Sequence, residues 1–284
     1  ISYKIKIKKI IAKNWPILYI IKMTQSLHYM WINATKAPVP AVREMAYCPV
    51  PEHYLYNLAD VRADYPQADI TLWCDFYGAA QCPPDMWKAA MEEAMVPGIR
   101  FRSLRNLPAY REDPLFDIAG DCTDYMYGAI WQQVDLARLL VLTTVLEEQG
   151  KGNVFYNDMD LTDPRMEDPK AQEILEKHGM LFLQYPSLTG KQKGYLENSF
   201  MAFSHARLSW IREVLIPRTQ DYIMQNETGW EALKAVLAEE FPDADPEAMD
   251  HLVIKSGHLE IAHPAHNDFA SRNQARTAPY NVRG

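Results

Sequence analysis

Asp158 and Asp160 flank Met159 in VFYNDMDL, where an apolar run gives way to acidic residues. Like charges this close resist joint ionisation, so the pair asks for a compensating cation. Hard carboxylate oxygens suit Mg2+ or Mn2+, whose remaining positions diphosphate oxygens and water can fill. The spacing by itself decides little, because random placement of the chain's 19 Asp gives roughly one such pair. A second pair, Asp243 and Asp245, lies in FPDADPEAMD, a Pro-broken acidic loop that reads as solvated surface. Asp158 and Asp160 instead end a strand-like run, and open α/β sheets bind ligands beyond the carboxyl ends of their strands. The competing reading is a solvated pair that caps the following turn.

Asp135 and Arg138 in VDLAR are spaced i, i+3 and share one helical face. An Arg there can neutralise a diphosphate, while the Asp holds the Arg or bonds a sugar hydroxyl. Ordinary surface ion pairs have the same spacing. Near the C-terminus, His258, His263 and His266 lie close to Asn267, Asp268 and Ser271. A neutral imidazole of His263 or His266 would add a metal ligand, and Arg272 and Arg276 would cover phosphate oxygens; the alternative is a polar tail. Cys48, Cys74, Cys82 and Cys122 show neither CxxC spacing nor zinc-finger His partners, which favours reduced, buried thiols in a cytosolic protein.

Short apolar runs alternating with amphipathic stretches must position these groups. Strands are expected at 26–33, 69–76, 99–104, 153–161, 179–186 and 199–205. Helices are expected at 53–66, 84–98, 123–149, 206–224 and 229–241, several of them punctuated by Pro or Gly. The stretch holding Pro164 and Pro169 reads as polar loop, and HLVIKSG follows the last helix. Strand then helix, repeated, predicts an α/β fold with a mainly parallel sheet covered on both faces. No linker splits the chain, so residues 23–284 are expected to form one domain.

The 284 residues carry a formal net charge of −8, which argues against a general nucleic-acid binder. Residues 1–22 stand apart, with six Lys and no acid. This basic, apolar extension would contact an anionic membrane surface, or else it lies outside the natural reading frame, with Met23 as the start. Lys13, Asn14 and Pro16 interrupt the apolar stretch and argue against a signal peptide. No apolar run approaches the length of a membrane span. A cytoplasmic protein, with membrane association through residues 1–22, is the expected location.

SLHYMWIN, then YPQADITLWCDF, VDLAR and YNDMD, in that order, resemble the GT-A glycosyltransferases with a DxD region, most nearly the catalytic domain of the large clostridial glucosylating toxins. The likeness covers residues 26–76 and 131–207. It implies a GT-A, Rossmann-like sheet and a nucleotide-sugar donor. Trp31 would stack on the nucleotide base, with Met30, Tyr156, Asp158 and Ser271 in the same donor-binding group. Asp135 and Arg138 would contact sugar and diphosphate, Asp158 ribose or sugar, and Asn198 the donor sugar. Asp160 would be the direct ligand of Mn2+ or Mg2+. The stretch from Arg138 to Asp158 is longer than the family's, and no Trp follows Trp230 to match its C-terminal Ser and Trp.

The resulting expectation is a metal-dependent, retaining transfer of a sugar, UDP-linked by preference, to an acceptor hydroxyl. The acceptor is open: a polysaccharide, lipid-linked sugar, small molecule or protein. Two rivals stand beside it. DMDLT also fits the DxDxT signature of haloacid-dehalogenase-type phosphohydrolases, and a non-catalytic nucleotide-sugar-binding module would need the same pocket.

Overall fold

The computed structural model describes residues 25–33, 50, 52–76, 96–112, 127–161, 164–185, 195–225, 229–244 and 251–255. Residues 1–22, most of the expected helix at 84–98, Cys48, Cys82, Cys122, and the segment with His258, His263, His266, Ser271, Arg272 and Arg276 lie outside them.

Among the described residues, seven strands form one sheet: β1 (Ser26–Asn33), β2 (Asp69–Phe76), β3 (Ile99–Ser103), β4 (Asn153–Asn157), β5 (Met180–Tyr185), β6 (Tyr195–Ser204) and β7 (Val253–Lys255), in the order β3-β2-β1-β4-β6-β5-β7. All pairings are parallel except those of β6, which runs antiparallel to β4 and β5. The helices are α1 (Glu52–Asp64), α2 (Pro108–Glu112), α3 (Tyr127–Gln149), α4 (Pro169–His178), α5 (Leu208–Trp210), α6 (Ile216–Met224) and α7 (Gly229–Glu240). This is the α/β class with the mainly parallel, helix-covered sheet that the alternating pattern predicts. Among the described residues, no helix is long and apolar enough to cross a membrane.

Side chains alternate across each strand, so the sheet separates two cores. Val154 and Tyr156 of β4, with Met201 and Phe203 of β6, face α3, α6 and α7. Phe155, Phe200 and Ala202 face α1 and α4. Helix α3 is buried through Leu136–Thr143, and Arg138 is the one charged residue in that run. Burying a guanidinium among aliphatic side chains demands partners for its donors.

Several boundaries depart from the sequence reading for local reasons. The strand expected over 153–161 ends at Asn157, and residues 158–161 turn away. β6 starts four residues earlier than expected, at Tyr195. Pro169, read as part of a loop, opens α4, because a missing N–H costs nothing in a first turn; Asp168 caps it by accepting from the Lys170 N–H at 2.8 Å. The helix expected over 206–224 carries a π turn at Ile211–Leu215, just before Pro217, whose ring cannot donate to the preceding turn. The short α2 has too few residues for a periodic signal.

Gly179 ends α4 in the left-handed region, at φ 72°, and an added Cβ would lie 2.6 Å from Arg207 Cγ. That Arg207 donates to the His178 carbonyl at 2.8 Å and pairs with Glu240 at 2.8 Å, so it cannot easily withdraw. Gly179→Ala is therefore expected to lower stability by about 1–3 kcal/mol, read as a fall in the urea unfolding midpoint.

On the opposite sheet edge, Arg102 of β3 lies 4.1 Å over the Trp73 ring and forks onto Glu148 at 2.6 and 2.7 Å. Charged side chains on an edge strand also discourage pairing with another chain. Beneath, the Trp73 indole N–H donates to His28 Nδ1 at 3.1 Å, which requires that nitrogen to be unprotonated. Burial first, then Arg100 and Arg102, pull the His28 pKa down to about 3. The unfolded chain therefore takes up a proton below its ordinary value near 6.5 that the folded chain refuses. Stability falls as pH drops from about 6.5 to about 3, by up to about 5 kcal/mol from this group. His28→Gln keeps an acceptor for Trp73 and should flatten that decline in denaturant midpoints measured across the range.

Candidate functional site

The carboxyl ends of β1 and β4 and the start of β6 meet at one end of the sheet, as the registers His28↔Tyr156 and Asn157↔Phe200 require. Asp135, Arg138, Tyr156, Asp158 and Asn198 converge there. Arg138 NH2 donates to both oxygens of Asp158 at 2.9 and 3.0 Å. Its NH1 donates to Asn198 Oδ1 at 2.6 Å, to the Asn198 carbonyl at 3.3 Å and to Asp135 Oδ1 at 3.3 Å. Its Nε donates to the Tyr156 hydroxyl at 3.1 Å.

The acceptors are themselves linked. The Asn198 amide donates to Asp135 Oδ1 at 2.8 Å, and the Tyr156 hydroxyl donates to Asp158 Oδ1 at 2.6 Å. Burial drives the Tyr156 pKa well above 10; Arg138 opposes that shift and Asp158 reinforces it. The phenol therefore keeps its proton at neutral pH and serves as a donor. The Arg138 side chain is 7% exposed, against 26% for Asp158, so the guanidinium is sealed while the carboxylate reaches the surface. Among the described residues, three acids, Asp135, Asp158 and Asp160, stand here against the Arg138 guanidinium.

The turn after β4 places its odd and even residues oppositely. Met159 and Leu161 are 5% and 2% exposed and pack in the α1/α4 core, whereas Asp158 and Asp160 are half-buried. The Asp158 N–H donates to the Ser199 carbonyl at 2.7 Å, and the Leu161 N–H donates to the Asp158 carbonyl at 3.1 Å. The Asn157 amide spans the turn, donating to the carbonyls of Asp158 at 3.1 Å and Leu161 at 2.9 Å. Upstream, the longer connection from Arg138 is taken up by α3 running to Gln149 and by Gly150 and Gly152, both at positive φ.

Trp31, two residues before the end of β1, has its ring centroid 5.3 Å from Tyr54 of α1, at an interplanar angle of 49°. Its buried indole N–H has no hydrogen-bond partner among the described residues. Burial, then Asp160 and Asp158, raise the Tyr54 pKa, which sets that phenol beside the acidic turn. Met30 goes the other way. Adjacent strand residues face opposite sides, and Met30, 7% exposed, packs in the core beneath α3 rather than beside Trp31. Sequence reasoning missed Tyr54 and Asn157; a Tyr in an amphipathic helix and an Asn at a strand end carry no distinguishing spacing. Among the described residues, no group of three His, Cys, Asp or Glu side chains could hold a metal unaided. The donor set here is two neighbouring carboxylates, hard oxygen ligands that fit Mg2+ or Mn2+ once a bound diphosphate supplies further oxygens.

Removing the guanidinium would strand Asp158 and Asp135 against each other and leave the Asn198 and Tyr156 oxygens without their donor. Arg138→Met is expected to cost about 3–5 kcal/mol in urea unfolding. Arg138→Lys should recover only part of that, because a single ammonium cannot reach Asp158, Asn198 and Tyr156 at once, as three separate guanidinium nitrogens do.

No family model matches the chain, and no curated protein is similar to it. Among solved structures, it is similar to the PaToxG glycosyltransferase at 14% identity, covering 78% of this chain and 70% of that one with a TM-score of 0.46. A protein described as a transferase is similar at 13% identity, covering 84% and 92% with a TM-score of 0.48. Mouse xyloside xylosyltransferase 1 is similar at 12% identity, covering 81% and 84% with a TM-score of 0.37.

Proposed function

We propose that the chain is a glycosyltransferase that takes a sugar from a nucleotide diphosphate, a UDP-sugar by preference, with Mn2+ or Mg2+ held at Asp160 and Asp158. The supporting observation is the split of the two carboxylates. Arg138 and Tyr156 clamp Asp158 from below, while Asp160, one residue beyond a buried Met159, projects from the same turn. When bound, the cation would draw charge from the leaving diphosphate.

The chain's own residues would do the rest. The Trp31 face, braced by Tyr54, offers an aromatic surface for a base. Asp158, its orientation fixed by a forked guanidinium, presents its exposed edge to a sugar or ribose hydroxyl. Asn198 and Asp135 hold one another and Arg138, so they back that carboxylate. Arg138 spends its nitrogens on protein acceptors, and its effect on a diphosphate is through Asp158 and through its charge. His263, His266 and Ser271 remain part of the proposal as further contacts from the C-terminal segment. A nucleotide-sugar donor and a retaining outcome follow from the family resemblance; the acceptor is a polysaccharide, lipid-linked sugar, small molecule or protein, and a cytoplasmic location rests on reading the cysteines as reduced thiols.

The phosphohydrolase reading needs Asp158 as a free nucleophile. Both of its oxygens accept from Arg138, and one also accepts from Tyr156, which lowers the nucleophilicity that reading requires.

Hydrolysis of a panel of UDP- and GDP-sugars with Mn2+ or Mg2+ tests the proposal. Asp160→Ala is expected to lower turnover by about 10²–10³-fold, the worth of several kcal/mol of charge stabilisation, without lowering the unfolding midpoint. Asp158→Ala should lose activity similarly. Equal turnover in all three proteins would defeat the assignment. Activity on a simple aryl phosphate with none on sugar nucleotides would favour the phosphohydrolase, and binding without turnover would favour the module.

A further inference from the structure

Helix α1 reaches the acidic turn at one point that the proposed chemistry does not use. The Asn57 amide donates to the Met159 carbonyl at 2.9 Å, across 102 residues of sequence. Met159 is the residue between the two carboxylates, and its carbonyl belongs to the peptide that carries the Asp160 N–H. Of the carbonyls in this turn, those of Asp158 and Leu161 are held by Asn157, from within the turn's own strand. The Met159 carbonyl is held from outside, by a separate layer of the fold.

We propose that Asn57 is a positioning residue: by anchoring the Met159–Asp160 peptide to α1, it fixes the pitch at which Asp160 leaves the turn. The geometry fits that role better than one in general packing. Asn157 ties residues 158 and 161 to each other, which closes the turn, while Asn57 bonds the carbonyl of the peptide between them. A peptide plane rotates about its two Cα atoms, so tethering its carbonyl oxygen fixes its tilt, and the tilt directs the next side chain. Tyr54 lies one turn earlier on the same face of α1, against Trp31. One helix thus sets the aromatic wall and the acidic turn relative to each other.

The inference rests on the reading of Asp160 as a metal ligand, so the test separates the two. Mn2+ affinity with UDP present is measured by EPR of the free ion for the parent, Asp160→Ala, Asn57→Ala and Asn57→Asp. Hydrogen exchange of the Leu161 amide, which bonds the Asp158 carbonyl, is followed in the same proteins without metal. Asn57→Ala and Asn57→Asp are expected to weaken Mn2+ binding about 10- to 100-fold, the usual cost of losing an outer support of a metal ligand. They should also speed Leu161 exchange while the β4 amides keep their protection. Gly179→Ala, destabilised at a site remote from the turn, should keep the parent's Mn2+ affinity and shows that general loss of stability is not the cause. Parent-like Mn2+ affinity and parent-like Leu161 exchange in Asn57→Ala would overturn the role of Asn57, as would equal weakening in Gly179→Ala. If the parent binds Mn2+ no better than Asp160→Ala does, the metal reading fails instead, and Leu161 exchange alone then decides whether Asn57 orders the turn.

Discussion

A single guanidinium, the one charge in the buried run Leu136–Thr143 of α3, dictates how this end of the molecule is built. Arg138 cannot be left unpaired among Leu136, Leu139 and Leu142, since an isolated buried charge costs far more than any packing gain. Its donors are met by three elements: α3 itself through Asp135, β4 through Tyr156 and, one residue past the strand's end, Asp158, and β6 through Asn198. The network is worth little if one member is absent, because every acceptor is oriented by the others. That interdependence makes the site rigid before any ligand arrives, which is what an arrangement meant to hold charge in a fixed place requires.

The turn that follows β4 turns this rigidity into an exposed chemical surface. Met159 and Leu161 plug the core beneath α1 and α4, while Asp158 reaches back to the α3 side. The polypeptide therefore crosses the sheet edge at the acidic residues and is anchored on both sides of it. Met159 adds a buried anchor between the two carboxylates to the hold that Arg138 and Tyr156 already have on Asp158. With it, the separation of the carboxylates is fixed by covalent geometry and by hydrogen bonds to the turn's carbonyls.

Much of this was legible in the sequence because the relevant signals are local. The β1 and β2 runs are apolar and bounded, and their limits agree with the structure residue for residue. The grouping of VDLAR with YNDMD needed only a helix face and a strand end; Tyr156 and Asn198 entered through the family resemblance, and Asp135, Arg138, Tyr156, Asp158 and Asn198 do come together. What was illegible depends on contacts distant in the chain. Helix α4 hid behind Pro169, since Pro reads as a breaker unless the Asp168 cap is recognised. The direction of Arg138 was also hidden: i, i+3 spacing says that Asp135 is near, not that Asn198 sixty residues on and Asp158 will take its remaining donors. Met30 shows the same limit. Its neighbour faces the aromatic wall, and strand alternation sends Met30 into the opposite core.

The one reversed strand explains why Asn198 can join the site at all. In a wholly parallel sheet, every strand delivers only its carboxyl end to the ligand side, so the start of a neighbouring strand lies at the far end of the molecule. β6 runs against β4, pairing Asn157 with Phe200 and Asn153 with Ser204, so its beginning lies beside the acidic turn and its end beside Gly152. That reversal places a neutral amide two residues before Phe200, where its oxygen can accept from the guanidinium and its nitrogen can donate to Asp135. A carboxylate there would add a further negative charge beside Asp135 and Asp158, and an ammonium would compete with Arg138 for Asp135. Only a side chain that both donates and accepts serves both neighbours, and Asn at this depth satisfies them while remaining buried.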